Sequence, residues 1–185
     1  MPRSPFDPSR RRAAACLAAA VSLAVALPAL AHGPTRQKVS EKVTIDAPID
    51  AVWAKVKNFD ALKDWHPAVA ESPADKGNQE GSVRTVKLKG GGTLVETLER
   101  HDDAKKLYSY RIKDGGDALP VTNYASTLAL TAEGGKTVVE WRGAFYRGYP
   151  NNDPPPDKND EAAVKAVTGV YAAGLANLKK VVETR

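Results

Sequence analysis

The stretch IDAPIDAVWAKVKNFDALKDWHP, residues 45–67, holds the change of period that decides the fold. Just upstream, Val39, Glu41, Val43 and Ile45 take every second position between polar neighbours, the repeat of a half-buried strand. Ala47-Pro48 ends that repeat, because proline brings no amide hydrogen to a sheet. Asp50 then stands where a helix cap would, and Val52, Trp53, Val56 and Phe59 fall on one side of a helix. Leu62 and Trp65 extend the apolar series, and His66-Pro67 stops it, since a residue before proline is pushed out of helical geometry.

Beyond this segment the chain turns to strands. Residues 82–89, 93–100, 107–113, 121–131 and 137–147 are rich in β-branched and aromatic side chains. Gly90-Gly91-Gly92, His101-Asp102-Asp103, Asp114-Gly115-Gly116-Asp117 and Gly134-Gly135 join them, and links so short suit the hairpins of an antiparallel meander. Residues 149–158 hold too much Pro, Asn and Asp for regular structure. A helix then starts at Asn159 or Asp160 and runs to about Val182, roughly 34 Å at 1.5 Å per residue. Val164, Val167, Tyr171, Leu175, Leu178 and Val182 give it one apolar stripe, interrupted by Gly169 and Gly174, which cost up to ~1 kcal/mol each relative to Ala. Close approach to the sheet, extra cavity volume or simple tolerance would each account for these glycines.

A helix stripe and a sheet face can each cover the other. The element order predicts an α+β helix-grip fold: a curved antiparallel sheet wrapped around the long C-terminal helix, two short helices after the first strand, and often a cavity between. The domain is expected over 39–185, behind a loose arm at 32–38, with no repeat and no second domain.

The N-terminus reads as an export signal. Arg10, Arg11 and Arg12 precede an Ala/Leu/Val run from Ala13 to Leu27, Pro28 breaks it, and Ala29-Leu30-Ala31 offers small residues for cleavage after Ala31. The run is short of the ~20 residues that span a bilayer. The mature protein is therefore expected to be periplasmic, with no membrane attachment, and the arginines leave Sec and twin-arginine export both open. Arg3, Arg10, Arg11 and Arg12 against Asp7 carry three of the chain's net +5, so the basic balance belongs mostly to the signal and gives no argument for nucleic acid. Cys16, the only cysteine, begins the apolar run and leaves with it. No thiol, disulfide or cysteine metal site is then expected in the mature chain.

The segment 45–67, with its APIDAVW and its late WHP, resembles the START-like, polyketide-cyclase-type (SRPBCC) superfamily. A narrower resemblance covers nearly the whole mature chain. AHGPTRQKVSEKVTI at the cleavage junction, LPVTNYASTL from Leu119, WRGAFYRG from Trp141 and NDEAAVKAV from Asn159 are similar to MxaD-type proteins, periplasmic accessory proteins of bacterial methanol oxidation. That resemblance implies a non-enzymatic protein, taken as a monomer, that helps a quinoprotein methanol dehydrogenase engage its cytochrome c acceptor. The dehydrogenase would bring its own quinone, so no cofactor is expected here. Two readings from other classes stand beside it: a carrier or sensor of a small hydrophobic ligand, and a cyclase- or hydrolase-like enzyme using Glu96, His66 or a tyrosine.

The candidate cavity residues are Trp53, Trp65, His66, Glu96, Tyr108, Tyr110, Tyr124, Trp141, Phe145 and Tyr171. Tyrosine offers a ring and a hydroxyl together, which suits an apolar ligand with a polar end; a plain core with backbone-bonded hydroxyls would use the same residues. Trp65-His66 would either meet a ligand at a cavity mouth or simply end a helix, with Trp65 buried and His66 fixing the turn. Glu96 shares a strand face with Leu94 and Leu98, which suggests that it points inward, where burial would raise its pKa towards that of a general base. Glu140 and Arg142 are expected on the solvated face. For docking a partner, the candidates are Tyr149, Asn151, Asn152, Asp153, Pro154, Pro155, Pro156 and Asp157, an exposed loop with a stiff proline centre. No metal site is expected; a copper chelate at a mature N-terminal His32 would need a second imidazole, from His66 or His101. Haem, zinc-protease, P-loop and nucleophile-elbow patterns do not occur.

Overall fold

The computed structural model describes residues 33–184. The expected signal peptide, its cleavage site, Cys16 and His32 lie outside the described residues. Strand β1 (Gln37–Ile45) pairs antiparallel along its length with β7 (Lys136–Arg147), from Gln37 opposite Phe145 to Ile45 opposite Thr137. Next come α1 (Ile49–Val56), a 3₁₀ turn at Phe59–Ala61 and the single-turn α2 (Leu62–Trp65). The meander is β2 (Val69–Glu71), β3 (Val83–Leu88), β4 (Thr93–Asp102), β5 (Leu107–Asp114), β6 (Val121–Glu133) and β7. All form one sheet in the order β1-β7-β6-β5-β4-β3-β2, every neighbouring pair antiparallel, and α3 (Asp160–Glu183) closes the chain. This is the helix-grip α+β architecture.

Period-two alternation puts one side-chain set inward. Leu94, Glu96 and Leu98 are buried from β4, Tyr108, Tyr110 and Ile112 from β5, and Val139, Trp141 and Phe145 from β7. In β6 a bulge resets the count: Asn123 takes φ 48°, the register with β7 shifts between Thr122 and Ala125, and Val121 and Tyr124 are both buried although three apart. Asparagine tolerates that left-handed geometry better than most residues.

Several local expectations change. Asp50 caps nothing: Pro48 holds the N-cap position, its carbonyl accepts from Ala51 and Val52, and the exposed Asp50 pairs with Lys106 at 3.0 Å. β1 begins two residues inside the segment read as an arm, and Thr35 within that arm donates to Asp160 at 2.8 Å. β2 was not foreseen; three residues are too few for periodicity to register. The link placed at His101-Asp102-Asp103 lies later, because β4 continues to Asp102 and the left-handed residue of the turn is Lys106. Along α3, Asn159 caps by accepting from the Ala162 amide at 2.8 Å. The buried stripe is Ala163, Val167, Tyr171, Gly174, Leu175 and Leu178, while Val164 and Val182 are only partly covered.

The two helix glycines serve different ends. Gly169 is exposed, and a Cβ there would meet nothing within 4 Å. A Cβ on Gly174 would stand 2.6 Å from His66 Cδ2 and 2.8 Å from Trp141 Cζ3. At Gly174, α3 packs directly on the Trp141 ring of the sheet and on His66 of the turn after α2.

Candidate functional site

Between the inner sheet face, α2 and α3 lies a cavity of about 80 Å³. Its walls are mainly aliphatic, with Val86, Leu88, Leu94 and Ile112 from the sheet. Ala118 and Leu119 of the β5–β6 loop cover one side. The loop meets the β3–β4 turn there: Gly92, at φ 90°, sits so near that a Cβ would be 2.9 Å from Ala118 Cβ.

Of the ten candidate cavity residues, His66, Glu96, Tyr110, Tyr124 and Trp141 line this space. The others are buried elsewhere. Trp53 donates to Asp103 at 2.5 Å and packs near His101 and Tyr108, fastening α1 to the β4–β5 turn. Trp65 packs edge-on to Trp141 at 5.4 Å, and its Nε1 is buried without a hydrogen-bond partner among the described residues. Tyr108, whose hydroxyl burial pushes up to about 12, and Phe145 are core residues. Tyr171 stacks on Trp141 at 4.5 Å and reaches the polar network behind the cavity wall.

His66 lines the cavity and also fixes the turn after α2. Its Nδ1 accepts from the Ala68 amide at 3.2 Å, which fixes the turn. The proton therefore sits on Nε2, which donates to the Val170 carbonyl of α3 at 3.0 Å. Burial pushes its pKa below 6.5, with Arg84 and Lys89 adding to the shift against the Val170 bond, so the neutral ring is the resident form. Both nitrogens are engaged.

The tyrosine network has a forced direction. Ser126 donates to the Arg142 carbonyl at 3.1 Å, because a carbonyl can only accept. Tyr171 must then donate to Ser126 at 2.9 Å, Tyr124 to Tyr171 at 2.6 Å, and Tyr110 to Tyr124 over a long 3.4 Å. The Trp141 Nε1–H divides between Ser126 at 3.0 Å and Tyr110 at 3.2 Å. The Tyr110 and Tyr124 hydroxyl protons are thus spent within this chain, which ends on the Arg142 carbonyl of β7. Burial holds the Tyr110 and Tyr124 hydroxyls well above 10, so both stay neutral.

Glu96 differs from its neighbours. It is 3% exposed and faces Arg84, itself 1% exposed, across the β3–β4 ladder. Arg84 Nε donates to Oε2 at 2.6 Å, Nη2 stands 2.5 Å from the same oxygen without an aligned bond, and Nη1 donates to the Phe59 carbonyl. The guanidinium also lies 3.9 Å over the Phe59 ring. Burial pushes the Glu96 carboxyl up while Arg84 pulls it down. Contacts this short are charge-assisted, and a buried guanidinium without its carboxylate would be far costlier, so the pair stays ionised. Both interactions end on Oε2, and among the described residues no donor reaches Oε1. Arg84 was missed from sequence. Its place two residues before Val86 on one strand face, opposite an inward glutamate, was the signal.

At the surface, Asn151, Asn152, Asp153, Pro155, Pro156 and Asp157 are exposed, with Tyr149 and Pro154 partly covered. The loop is held from below. Arg147, 4% exposed, donates to the carbonyls of Tyr149 and Asn151 at 3.0 Å each and to Asp160 at 3.1 Å. Glu140 and Arg142 pair with each other at 2.8 Å on the outer face, as expected. No group of three or more potential metal ligands occurs among the described residues, and no described helix is long and apolar enough to cross a membrane.

The family model for polyketide cyclase / dehydrase and lipid transport proteins matches residues 36–183. Over 93 residues the chain is 36% identical to the abscisic acid receptor PYL10 of Arabidopsis thaliana, a match covering 48% of this chain and 50% of the receptor. The chain spans about half the length of the curated relatives it matches. Among solved structures, the protein XoxI from Bacillus cereus is 29% identical, with a TM-score of 0.66 over 80% of this chain and 96% of that one. Norcoclaurine synthase from Thalictrum flavum, solved with dopamine and hydroxybenzaldehyde, superposes with a TM-score of 0.61 at 18% identity, over 82% and 90% of the two chains, a likeness of fold alone.

Proposed function

This chain belongs to the polyketide cyclase / dehydrase and lipid transport family, and from that premise we propose that it is a binding module for a small, mostly apolar molecule held between sheet and α3. The observation that carries the reading is the aliphatic cavity of about 80 Å³ behind the β5–β6 loop. A core built only for stability closes such space, because voids forfeit dispersion contacts. Binding fits better than catalysis. General acid–base chemistry needs a group free to take or give a proton, whereas both His66 nitrogens are engaged and the Tyr110 and Tyr124 protons are spent within their own network; Glu96 alone keeps an open oxygen, and Arg84 on its other oxygen weakens it as a base. Titration with short-chain alcohols and ketones, followed by methyl NMR, tests this. Shifts should concentrate at Val86, Leu94 and Ile112; shifts scattered over the surface, or none, would overturn it.

A second reading has its own observation. The loop at 149–158 is exposed yet clamped from beneath by Arg147, the arrangement of a preformed docking surface, which costs little ordering entropy on binding. With the resemblance to MxaD-type proteins and the export signal, it supports a periplasmic accessory role in contact with a methanol dehydrogenase and its cytochrome c. Methanol oxidation by the purified pair should rise in proportion to added protein, and replacing Asn151, Asn152, Asp153 and Asp157 by serine should blunt the rise. No rise at excess protein would rule this role out.

A further inference from the structure

We infer that the cavity selects ligands by a hydrogen-bond donor and that Glu96 Oε1 is the atom that reads it, which makes the ligand class a short-chain neutral alcohol. The inference rests on the cavity being a binding site and adds what that site recognises.

The polar groups on the cavity wall divide sharply. His66 has no free nitrogen, the donor of Tyr124 is spent on Tyr171, and that of Tyr110 is aimed at Tyr124. The indole of Trp141 is shared by two oxygens. Tyr110 and Tyr124 each keep one neutral lone pair, and the strongest acceptor on the wall is the second oxygen of a carboxylate that is 3% exposed, with no donor among the described residues. Leaving such a group unmet is costly, and a ligand hydroxyl that meets it gains a charge-assisted bond.

Size and charge narrow the class. The volume, about 80 Å³, is roughly half of the ~150 Å³ that admits benzene into an apolar cavity. A molecule of about two to four carbons with one hydroxyl fits that space. An ammonium would also donate, but Arg84 already neutralises Glu96, so a second cation would be buried without a counter-charge. A carboxylate would bring like charge and no donor. A ketone or aldehyde would fill the space and leave Oε1 unmet.

The test compares 2-propanol with acetone, near-isosteric probes that differ in the donor, with propionate as the anionic control, by methyl NMR titration of the purified protein. Acetone should bind about tenfold more weakly than 2-propanol, or worse, and propionate not at all. In the double variant Arg84→Met/Glu96→Leu, which removes acceptor and counter-charge together, the preference for 2-propanol should vanish. Equal affinity for both neutral probes at the cavity methyls would overturn donor recognition and leave the binding reading standing. A preference surviving in the double variant would overturn the assignment to Glu96. If neither neutral probe reaches the cavity, the binding reading falls with it.

Discussion

Replacing Gly174 by alanine isolates one close contact of α3 with the sheet and with His66. The new methyl would stand 2.6 Å from His66 Cδ2, 2.8 Å from Trp141 Cζ3 and 3.2 Å from His66 Nε2. Neither ring can step aside cheaply. His66 is tied at both nitrogens, and Trp141 is stacked on Tyr171 and bonded through Nε1. The helix must lift or bonds must break, and overpacking of this kind costs about 1–3 kcal/mol. Against that, alanine is favoured over glycine inside a helix by ~1 kcal/mol. Gly169→Ala, in the same helix with nothing within 4 Å, collects that gain without the clash. The propensity term therefore cancels between the two variants, and their difference reports packing alone. Urea unfolding should place Gly169→Ala above the parent by up to ~1 kcal/mol, and Gly174→Ala about 1–3 kcal/mol below Gly169→Ala, at unchanged m-value. Equal stability of the two variants, within ~0.5 kcal/mol, would refute the close packing of α3 on His66 and Trp141.

Further outcomes concern the buried charges and the loop. Arg84→Met alone and Glu96→Leu alone should each cost about 3–5 kcal/mol by stranding the partner, while the double variant recovers most of it, giving a large coupling in a double-mutant cycle. The fold holds the pKa of His66 below 6.5, so its contribution is complete above that value and is lost as pH falls from 6.5 through the lower folded pKa. The drop in urea midpoint between pH 7.5 and pH 5 should therefore shrink in His66→Gln. Arg147→Met releases the Tyr149 and Asn151 carbonyls, and limited proteolysis should then cut within residues 149–158 several-fold faster with the core intact.

The architecture was legible because its signals are long. Five strands of the meander and the 24-residue α3 repeat their periods enough times to be read, and Asn159 caps where its side chain allows. Short features were not legible: β2 has three residues, and Pro48 starts α1 through its backbone, which leaves no side-chain trace. At the site, alternation predicted that Glu96 points inward, but its partner required knowing that β3 and β4 pair Arg84 with it across the ladder. Of the ten candidates five line the cavity and five do not, and aromatic composition could not separate wall from core. Trp53, Trp65, Tyr108, Phe145 and Tyr171 pack behind or beside the cavity, because which inward residues meet empty space depends on how closely α3 packs at glycines such as Gly174, which no periodicity reports.

The central claim, that this protein works through the space between its sheet and α3, meets its most direct test in Ala118→Leu. Ala118 is a half-buried cavity residue on a loop, so the larger side chain fills the space while Arg84, Glu96 and the tyrosine network keep their own side chains. Titrated with 2-propanol under methyl NMR, the parent should shift at Val86, Leu94 and Ile112 and saturate, while the filled variant, equally folded, should not respond. An identical response in both proteins would place binding outside the cavity and contradict the account.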